Sequence, residues 1–257
     1  MYTLKKSLGQ HFLKDENICK KIVHDLQQEP FDQLLEVGPG AGALTKYLLQ
    51  IPKINFKAVE LDDEKVDFLL QSFPEIKDKI IAQDFLEMEK PFTGKFTVIG
   101  NFPYNISSQI VFKILDWKEE VQCMIGMFQK EVAQRIVAKS GNKVYGVISV
   151  LVQIYFDTTY LFEVSETCFN PPPKVKSAVI KIVPRKNKIE IKSDKALKQI
   201  VKAAFNQRRK MLRNAVKDLF LAEDLKTDIF NKRAEQLSIY DFAQLTFLMA
   251  DNKTKVE

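Results

Sequence analysis

Residues 33–42 read Gln-Leu-Leu-Glu-Val-Gly-Pro-Gly-Ala-Gly, a short apolar run followed by glycines at every second position. The apolar run predicts a buried β-strand that ends at Gly38, and residues 43–50 have the pattern of a helix. Glycines at such a strand–helix turn let the backbone approach a ligand, and open α/β sheets bind ligands at this edge. The spacing G-x-G-x-G differs from the dinucleotide pattern G-x-G-x-x-G, which disfavours a nicotinamide-dependent oxidoreductase.

Strand and helix patterns alternate along the chain as far as residue 184. Further strands are predicted at 55–61, 79–82, 95–100, 121–128, 159–164 and 177–183, and helices at 16–28, 62–73, 106–115, 130–139 and 145–156. This alternation predicts an α/β fold with a doubly wound, mostly parallel, seven-stranded sheet of the Rossmann-like type. The last two strands are joined by the prolines at 171–173 and not by a helix, so we expect them to pair antiparallel at one edge.

The strand pattern ends at Pro184. Residues 193–205, 207–221, 229–237 and 239–249 all have helical patterns, which predicts a small all-helical C-terminal domain. We therefore predict a boundary that divides the chain into an α/β domain, residues 1–186, and a helical domain, residues 187–257.

The net charge of +6 is concentrated in the predicted helical domain. Residues 1–184 carry 22 Lys and Arg against 23 Asp and Glu, whereas residues 185–257 carry 17 against 10. This asymmetry indicates a surface that binds a polyanion, although a solvated helical face would have the same composition. We expect RNA to contact the most basic segment through Arg208, Arg209, Lys210 and Arg213.

The composition excludes several other classes of protein. With 46% hydrophobic and 28% charged residues, the 257-residue chain is ordinary for a globular protein and unlike a disordered or collagen-like one. The longest apolar stretch falls short of the ~20 residues of a membrane helix. The start lacks the apolar core of a secretion signal, so we expect a cytoplasmic protein. Three distant cysteines and two histidines predict neither a metal site nor a Ser-His-Asp or Cys-His nucleophile.

Acidic residues end the second and third predicted strands. Glu60 follows Gly38 by 22 residues, and a carboxylate there would accept hydrogen bonds from both hydroxyls of a ribose. Asp84 stands at the next strand end, where it would accept from the exocyclic amine of an adenine. Together with the turn at Gly38 and Gly40, which alone could be a purely structural loop, this pattern predicts an adenosyl cofactor.

The fourth predicted strand ends in Asn101, Phe102, Pro103 and Tyr104. In isolation this would be an ordinary Asn-x-Pro turn with a packed tyrosine. At this strand end it also has a chemical interpretation. Asn101 offers a side-chain carbonyl, and Pro103 forces Phe102 into an extended conformation that presents its main-chain carbonyl. Two acceptors of this kind would hold an amine, and Tyr104 would stack on the base that carries it.

These motifs resemble the KsgA/RsmA family of small-subunit ribosomal RNA adenine dimethyltransferases. The resemblance rests on residues 6–13, 36–42, 101–104, 169–175 and 204–210, together with Glu60 and Asp84. It implies a class I methyltransferase that uses S-adenosyl-L-methionine, with His11 and Leu13 joining Gly38, Gly40, Glu60, Asp84 and Asn101 as cofactor-binding residues. It also implies that Phe169 covers the second face of the target base. The family commonly has Asn where this chain has His11.

The resemblance implies the dimethylation of N6 on two adjacent adenosines near the 3′ end of 16S rRNA, during assembly of the 30S subunit. Methyl transfer from a sulfonium to an amine needs no metal, and we expect a monomer. One alternative is an erythromycin-resistance methylase acting on large-subunit rRNA, and another is an Asn-Pro-Pro-Tyr-type methyltransferase of DNA adenine or protein glutamine. The non-catalytic alternative is an RNA-binding ribosome-assembly factor.

Overall fold

The structure is a computed structural model that describes residues 11–250, so residues 6–10 of the first motif lie outside the described residues. The chain divides into two compact units. The first is formed by Met1–Ala133 and Thr158–Pro184, and the second by Gln134–Asp157 and Arg185–Glu257. The chain returns to the second unit at Arg185, close to the predicted boundary at residue 186. The structure differs in assigning residues 134–157 to that unit as well.

A central sheet of seven strands forms the first unit among the described residues. In chain order the strands of the structure are β1 (Phe12–Leu13), β2 (Gln33–Val37), β3 (Asn55–Glu60), β4 (Ile80–Ala82), β5 (Phe96–Asn101), β6 (Val121–Gln129), β7 (Phe156–Val164), β8 (Phe169–Asn170) and β9 (Ser177–Pro184). The central sheet has the order β4-β3-β2-β5-β6-β9-β7. Strands β2 to β6 are parallel, and β9 is antiparallel to β6. The predicted doubly wound sheet is confirmed.

The helices that follow these strands begin and end close to their predicted limits. They are α1 (Glu16–Leu26), α2 (Thr45–Leu48), α3 (Asp63–Ser72), α4 (Ser107–Asp116) and α5 (Lys130–Val137). Two starts are fixed by side-chain caps: Asp15 accepts hydrogen bonds from the backbone at the start of α1, and Asp62 does so for α3. Because these strands run parallel, the carboxyl ends of β2, β3, β4 and β5 meet at one edge of the sheet.

A small second sheet was not predicted. Strands β1 and β8 pair antiparallel, with Phe12 opposite Asn170 and Leu13 opposite Phe169. Two-residue strands leave no periodic pattern in a sequence, so only the fold reveals the pairing. Its consequence is that residues 12 and 13 of the first motif lie beside residues 169 and 170 of the motif at 169–175.

The helical unit contains α6 (Val147–Tyr155), α7 (Asp194–Asn206), α8 (Leu212–Ala215) and α9 (Ile239–Leu248). The apolar helix α6 packs against α7 and α9, which explains why it belongs to this unit. The single helices predicted at 207–221 and 229–237 are wrong. Short α8 and several 3₁₀ turns replace them and bury the same apolar side chains, namely Leu212, Val216, Phe220, Phe230, Ala234 and Leu237. The apolar residues that these successive turns bury are spaced as they would be in a helix, which explains the wrong prediction.

Two further observations concern the described residues alone. Within residues 11–250, no helix combines the length and the apolar character that crossing a membrane requires. The same part of the chain contains no cluster of three or more His, Cys, Asp or Glu side chains suited to a metal ion.

Candidate active site

One cavity of the first unit opens at the ends of the parallel strands. Its wall includes every residue predicted to bind the cofactor: His11, Leu13, Gly38, Gly40, Glu60, Asp84 and Asn101. They lie at β1 or directly before it, in the turns after β2 and β4, and at the ends of β3 and β5. Phe102, Pro103 and Tyr104 line it too. The structure therefore brings together residues that are up to 93 positions apart in the sequence.

The glycine turn is held by a conformation that other residues rarely adopt. Gly38 and Gly40 have φ values of 68° and 57°, in the left-handed region that favours glycine. A Cβ atom on Gly40 would lie 2.9 Å from the ring of Phe12. A side chain at either glycine is therefore disfavoured by the positive φ of Gly38 and Gly40 and, at Gly40, by the contact with Phe12. At these two positions the turn presents only backbone atoms to the cavity.

Glu60 connects the glycine turn to the end of β3. Its Oε2 accepts a hydrogen bond from Gly40 N at 3.0 Å, and its Oε1 accepts from Leu61 N at 3.0 Å and Asp62 N at 3.1 Å. Burial raises the pKa of this carboxyl, while the backbone donors oppose the shift. A carboxylate accepts about four hydrogen bonds, so Oε2 retains capacity for a ligand hydroxyl.

The next strand end supplies a polar and an apolar group. Asp84 Oδ1 accepts a hydrogen bond from Leu86 N at 2.8 Å, which fixes the carboxylate at the cavity wall. Phe85 beside it is buried edge-on against Trp117, with 5.4 Å between ring centroids. Leu61, although 54% exposed, also lines the cavity. The sequence analysis gives Leu61 no role, although it directly follows Glu60.

Asn101 is oriented by a main-chain partner. Its Nδ2 donates a hydrogen bond to the carbonyl oxygen of His11 at 3.1 Å. A carbonyl oxygen only accepts, so the amide nitrogen must face His11, and Oδ1 remains as an acceptor. This is the side-chain carbonyl that the sequence predicted.

Phe102 is anchored in the core by its ring. The side chain is 1% exposed and packs edge-on against Phe128 with 5.0 Å between centroids. It fits above two glycines of the sheet, because a Cβ on Gly100 or Gly126 would lie 2.6 or 2.2 Å from the ring. The buried ring thus anchors Phe102 at the cavity wall.

Tyr104 is half-buried, and both its hydroxyl and its ring have partners. The hydroxyl forms a hydrogen bond with Ser177 Oγ, a buried group on β9. The ring lies 5.4 Å from that of His11, tilted by 31°. Burial raises the pKa of Tyr104. Sequence reasoning gave the hydroxyl no task, whereas the structure shows that it fixes the ring.

Phe169 does not join this group. It is 1% exposed and belongs to the hydrophobic core, and it is not among the residues that line the cavity. Phe169 pairs with Leu13 in the small sheet, and both side chains belong to the hydrophobic core. Its contact with the target base stays a prediction of the resemblance.

Comparison with known proteins agrees with the site. The profile of the family described as ribosomal RNA adenine dimethylase matches residues 1–251. The chain belongs to this family. It is 51% identical over 246 residues to ribosomal RNA small subunit methyltransferase A of Flavobacterium johnsoniae, covering 94% of each chain. It is 47% identical over 251 residues to the protein of that name from Cytophaga hutchinsonii, covering 96% of this chain and 97% of that one.

Two solved structures share the fold of this adenine dimethylase family member. A dimethyladenosine transferase from Plasmodium falciparum matches with a TM-score of 0.78 and 24% identity, covering 91% of this chain and 96% of that one. The 23S rRNA methyltransferase ErmE matches with a TM-score of 0.70 and 21% identity, covering 91% and 99%. The predicted methyltransferase fold is confirmed.

Glu36 is a cavity residue of this family member that sequence reasoning left without a role. It is 1% exposed on β2, and Thr45 Oγ1 donates a hydrogen bond to its Oε2 at 2.8 Å. Burial raises the pKa of Glu36 to about 8, and the charge of Glu60 adds to the shift. An acidic residue inside an otherwise apolar strand, directly before the glycine turn, was the available signal.

The predicted RNA-binding residues divide into two kinds within the helical unit. The guanidinium of Arg208 donates a hydrogen bond to the carbonyl of Lys143 at 2.6 Å and lies 3.6 Å from Glu235. It therefore joins the loop after α7 to two other loops. The remaining members are exposed to solvent: Arg209, Lys210 and Arg213.

Proposed function

We propose that the protein transfers methyl groups from S-adenosylmethionine to N6 of two adjacent adenosines near the 3′ end of 16S rRNA, giving N6,N6-dimethyladenosine during assembly of the 30S subunit. The observation that carries the proposal is the orientation of Asn101, whose Oδ1 is left as an acceptor in the same cavity as Glu60 and Asp84. The names of the relatives support the small-subunit substrate. The proposal implies action in the cytoplasm, where ribosomes assemble, and we expect a monomer.

The residues of the cavity fit an adenosyl group. Glu60 keeps an acceptor position for ribose hydroxyls, and Asp84 offers one for the adenine amine. Leu61 supplies an apolar face for the ring, and the bare backbone at Gly38 and Gly40 admits a close approach. The lining residues His11 and Leu13 complete the proposed cofactor set. When bound, the cofactor supplies a methyl group on a positively charged sulfur.

The other residues of the cavity position the amine that receives the methyl group. Asn101 Oδ1 and the main-chain carbonyl of Phe102 would accept hydrogen bonds from the N6 amine, with Pro103 holding the main chain extended. Tyr104 would stack on the adenine. A paired adenine must first leave its helix to enter the cavity. Holding the amine against the methyl group accounts for most of the rate enhancement in this proposal.

The helical unit is proposed to bind the rRNA backbone. The loop at 139–143 is joined to the turn at 235 by a hydrogen bond from Gly141 N to the carbonyl of Glu235 at 2.7 Å. Arg208 donates a hydrogen bond to the first segment, at Lys143, and forms an ion pair with Glu235 in the second. Exposed basic side chains on these loops form a surface suited to phosphates: Lys139, Lys143, Arg209, Lys210 and Arg213. In this proposal Arg208 holds together the loops that carry this surface.

A transfer assay with labelled cofactor tests the function. Immature small subunits, large-subunit rRNA, DNA and free protein would be offered as acceptors, with the Asn101→Ala variant as the matched control. We expect label in small-subunit rRNA alone, as dimethyladenosine by mass spectrometry. Label in large-subunit rRNA would favour the erythromycin-resistance activity. Cofactor binding without transfer to any acceptor would favour a non-catalytic assembly factor.

A further inference from the structure

His11 is held from two sides in the first unit. Its ring nitrogen Nδ1 lies 2.8 Å from the carbonyl oxygen of Pro171, directly after β8. Its own main-chain carbonyl accepts the hydrogen bond from Asn101 Nδ2 at 3.1 Å. One residue thus connects the segment after β8 to the end of β5, which are far apart in the sequence.

The contact with Pro171 determines which ring nitrogen carries a proton. A carbonyl oxygen only accepts, so Nδ1 must donate the hydrogen bond. In the neutral ring Nε2 is then the unprotonated nitrogen. In the imidazolium form both nitrogens carry protons, and Nδ1 still donates. The bond to Pro171 therefore forms in either protonation state.

The contact with Asn101 determines the direction of an acceptor. If the Asn101 amide were turned by half a rotation, Oδ1 would face the carbonyl oxygen of His11, and two acceptors would oppose each other. The main-chain carbonyl of His11 therefore selects the orientation that leaves Oδ1 available. Its own position depends on the attachment of the His11 ring to Pro171 and on the pairing of Phe12 with Asn170.

We propose that His11 is a positioning residue for Asn101. The hydrogen bond from His11 Nδ1 to Pro171 holds the start of β1, and the main-chain carbonyl fixed in this way sets the direction of Asn101 Oδ1. The role requires a donor at the Nδ1 position and makes no use of Nε2 as a base. This inference rests on the proposed function, which gives Asn101 Oδ1 its task.

Two amide substitutions separate the ring nitrogens. In His11→Asn the side-chain nitrogen stands as many bonds from Cα as Nδ1 does, so it can donate to Pro171. In His11→Gln the nitrogen stands at the distance of Nε2. In single-turnover methylation at saturating cofactor, we expect His11→Asn to be faster than His11→Gln and His11→Ala. We expect His11→Gln and His11→Ala to be slower by roughly tenfold, the effect of about one hydrogen bond.

A double-mutant cycle tests the route through Asn101. If His11 acts only by orienting Asn101, then His11→Ala causes no further loss of rate when Asn101 is already Ala. A second readout needs neither cofactor nor RNA: the side-chain amide resonances of Asn101 in the ¹⁵N-labelled protein, identified by their absence from Asn101→Ala. We expect them to shift in His11→Ala and His11→Gln and to stay near the wild-type positions in His11→Asn.

The amide resonances keep this inference separate from the proposed function. If wild-type protein methylated no small-subunit rRNA, the proposed function would fail, while the resonances would still report the coupling of His11 to Asn101. A fast His11→Gln with a slow His11→Asn would overturn the inference by assigning the function to Nε2. An equal loss from His11→Ala in the Asn101→Ala background, or unchanged Asn101 resonances in His11→Ala, would overturn it too.

Discussion

Replacement of Glu60 by alanine tests the cofactor site most directly. The Glu60 carboxylate accepts hydrogen bonds from Gly40 N, Leu61 N and Asp62 N at 3.0, 3.0 and 3.1 Å. Its removal leaves these amides without their acceptor in a partly buried site, where an unsatisfied group costs about 1–3 kcal/mol. Because the cavity admits water, we expect the free energy of unfolding to fall by about that amount in total and not once for each amide.

The affinity for S-adenosylmethionine should fall as well, since the variant loses the acceptor for the ribose hydroxyls. A loss of about 1–3 kcal/mol corresponds to a dissociation constant raised by roughly fivefold to a hundredfold or more. Titration calorimetry measures the affinity, and thermal unfolding of the free protein measures the stability. A folded Glu60→Ala variant that binds the cofactor as wild type does would refute the assignment.

Glu60→Gln is the matched control, because it keeps the shape and removes the charge. One amide oxygen can still serve Leu61 N and Asp62 N, whereas the amide nitrogen then faces Gly40 N, where two donors oppose each other. We expect its stability to lie between those of Glu60→Ala and wild type. We also expect weaker cofactor binding than in wild type, because a neutral amide forms weaker hydrogen bonds than a carboxylate.

The remaining predictions concern the chemistry, the RNA surface and a buried acid. Asn101→Ala should weaken cofactor binding less than Glu60→Ala does and lower the single-turnover rate at least tenfold, the order expected when an acceptor used in the transition state is lost. A near-native rate would reduce Asn101 to a turn residue. Tyr104→Ala should impair capture of the base, seen as a raised KM for RNA. Tyr104→Phe should have a smaller effect, which the lost hydrogen bond to Ser177 accounts for. A triple variant with glutamine at Arg209, Lys210 and Arg213 should have a smaller salt dependence of RNA binding, by roughly one unit of slope or less for each lost phosphate contact; an unaltered slope in the folded variant would contradict this RNA surface. Arg208→Gln should mainly lower the melting temperature. Cofactor affinity should rise with pH through the titration of Glu36, and Glu36→Gln should reduce that rise.

The strands and the strand-end residues were predictable because the signal is local. Each of these strands is a mainly apolar run bounded by turn residues, and in a parallel sheet the ends of such runs meet at one edge. The sequence alone therefore predicts that Glu60, Asp84 and Asn101 lie close together, and the structure brings them into one cavity.

The failures concern contacts between distant segments. The bond from Asn101 to His11 and the bond from Tyr104 to Ser177 each connect residues more than 70 positions apart, and no pattern in the sequence announces them. The sequence predicts contact with RNA for Arg208, Arg209, Lys210 and Arg213 alike, and the structure adds that Arg208 bonds to Lys143, where two loops meet. Charge composition identifies a surface and does not tell which member of a cluster faces inward.

Glu36 and Glu60 together give the cavity a pH dependence whose sign follows from their burial. The pKa of Glu36 is raised to about 8 by burial, with the charge of Glu60 adding to the shift. Its contribution to stability is therefore fully present below the ordinary pKa of a glutamic acid and is lost as the pH rises through about 8. A cationic ligand in the cavity opposes the effect of burial, because a positive charge favours the ionised form of the carboxyls and so lowers their pKa. Binding of S-adenosylmethionine near pH 8 should accordingly release protons, which calorimetry in buffers of different ionisation enthalpy detects. Glu36→Gln keeps an acceptor for Thr45 and removes the titration of this residue, so it should release fewer protons. Its unfolding temperature should also change less than that of wild type between the ordinary pKa of a glutamic acid and about 8. Proton release equal to that of wild type would place the titrating group elsewhere.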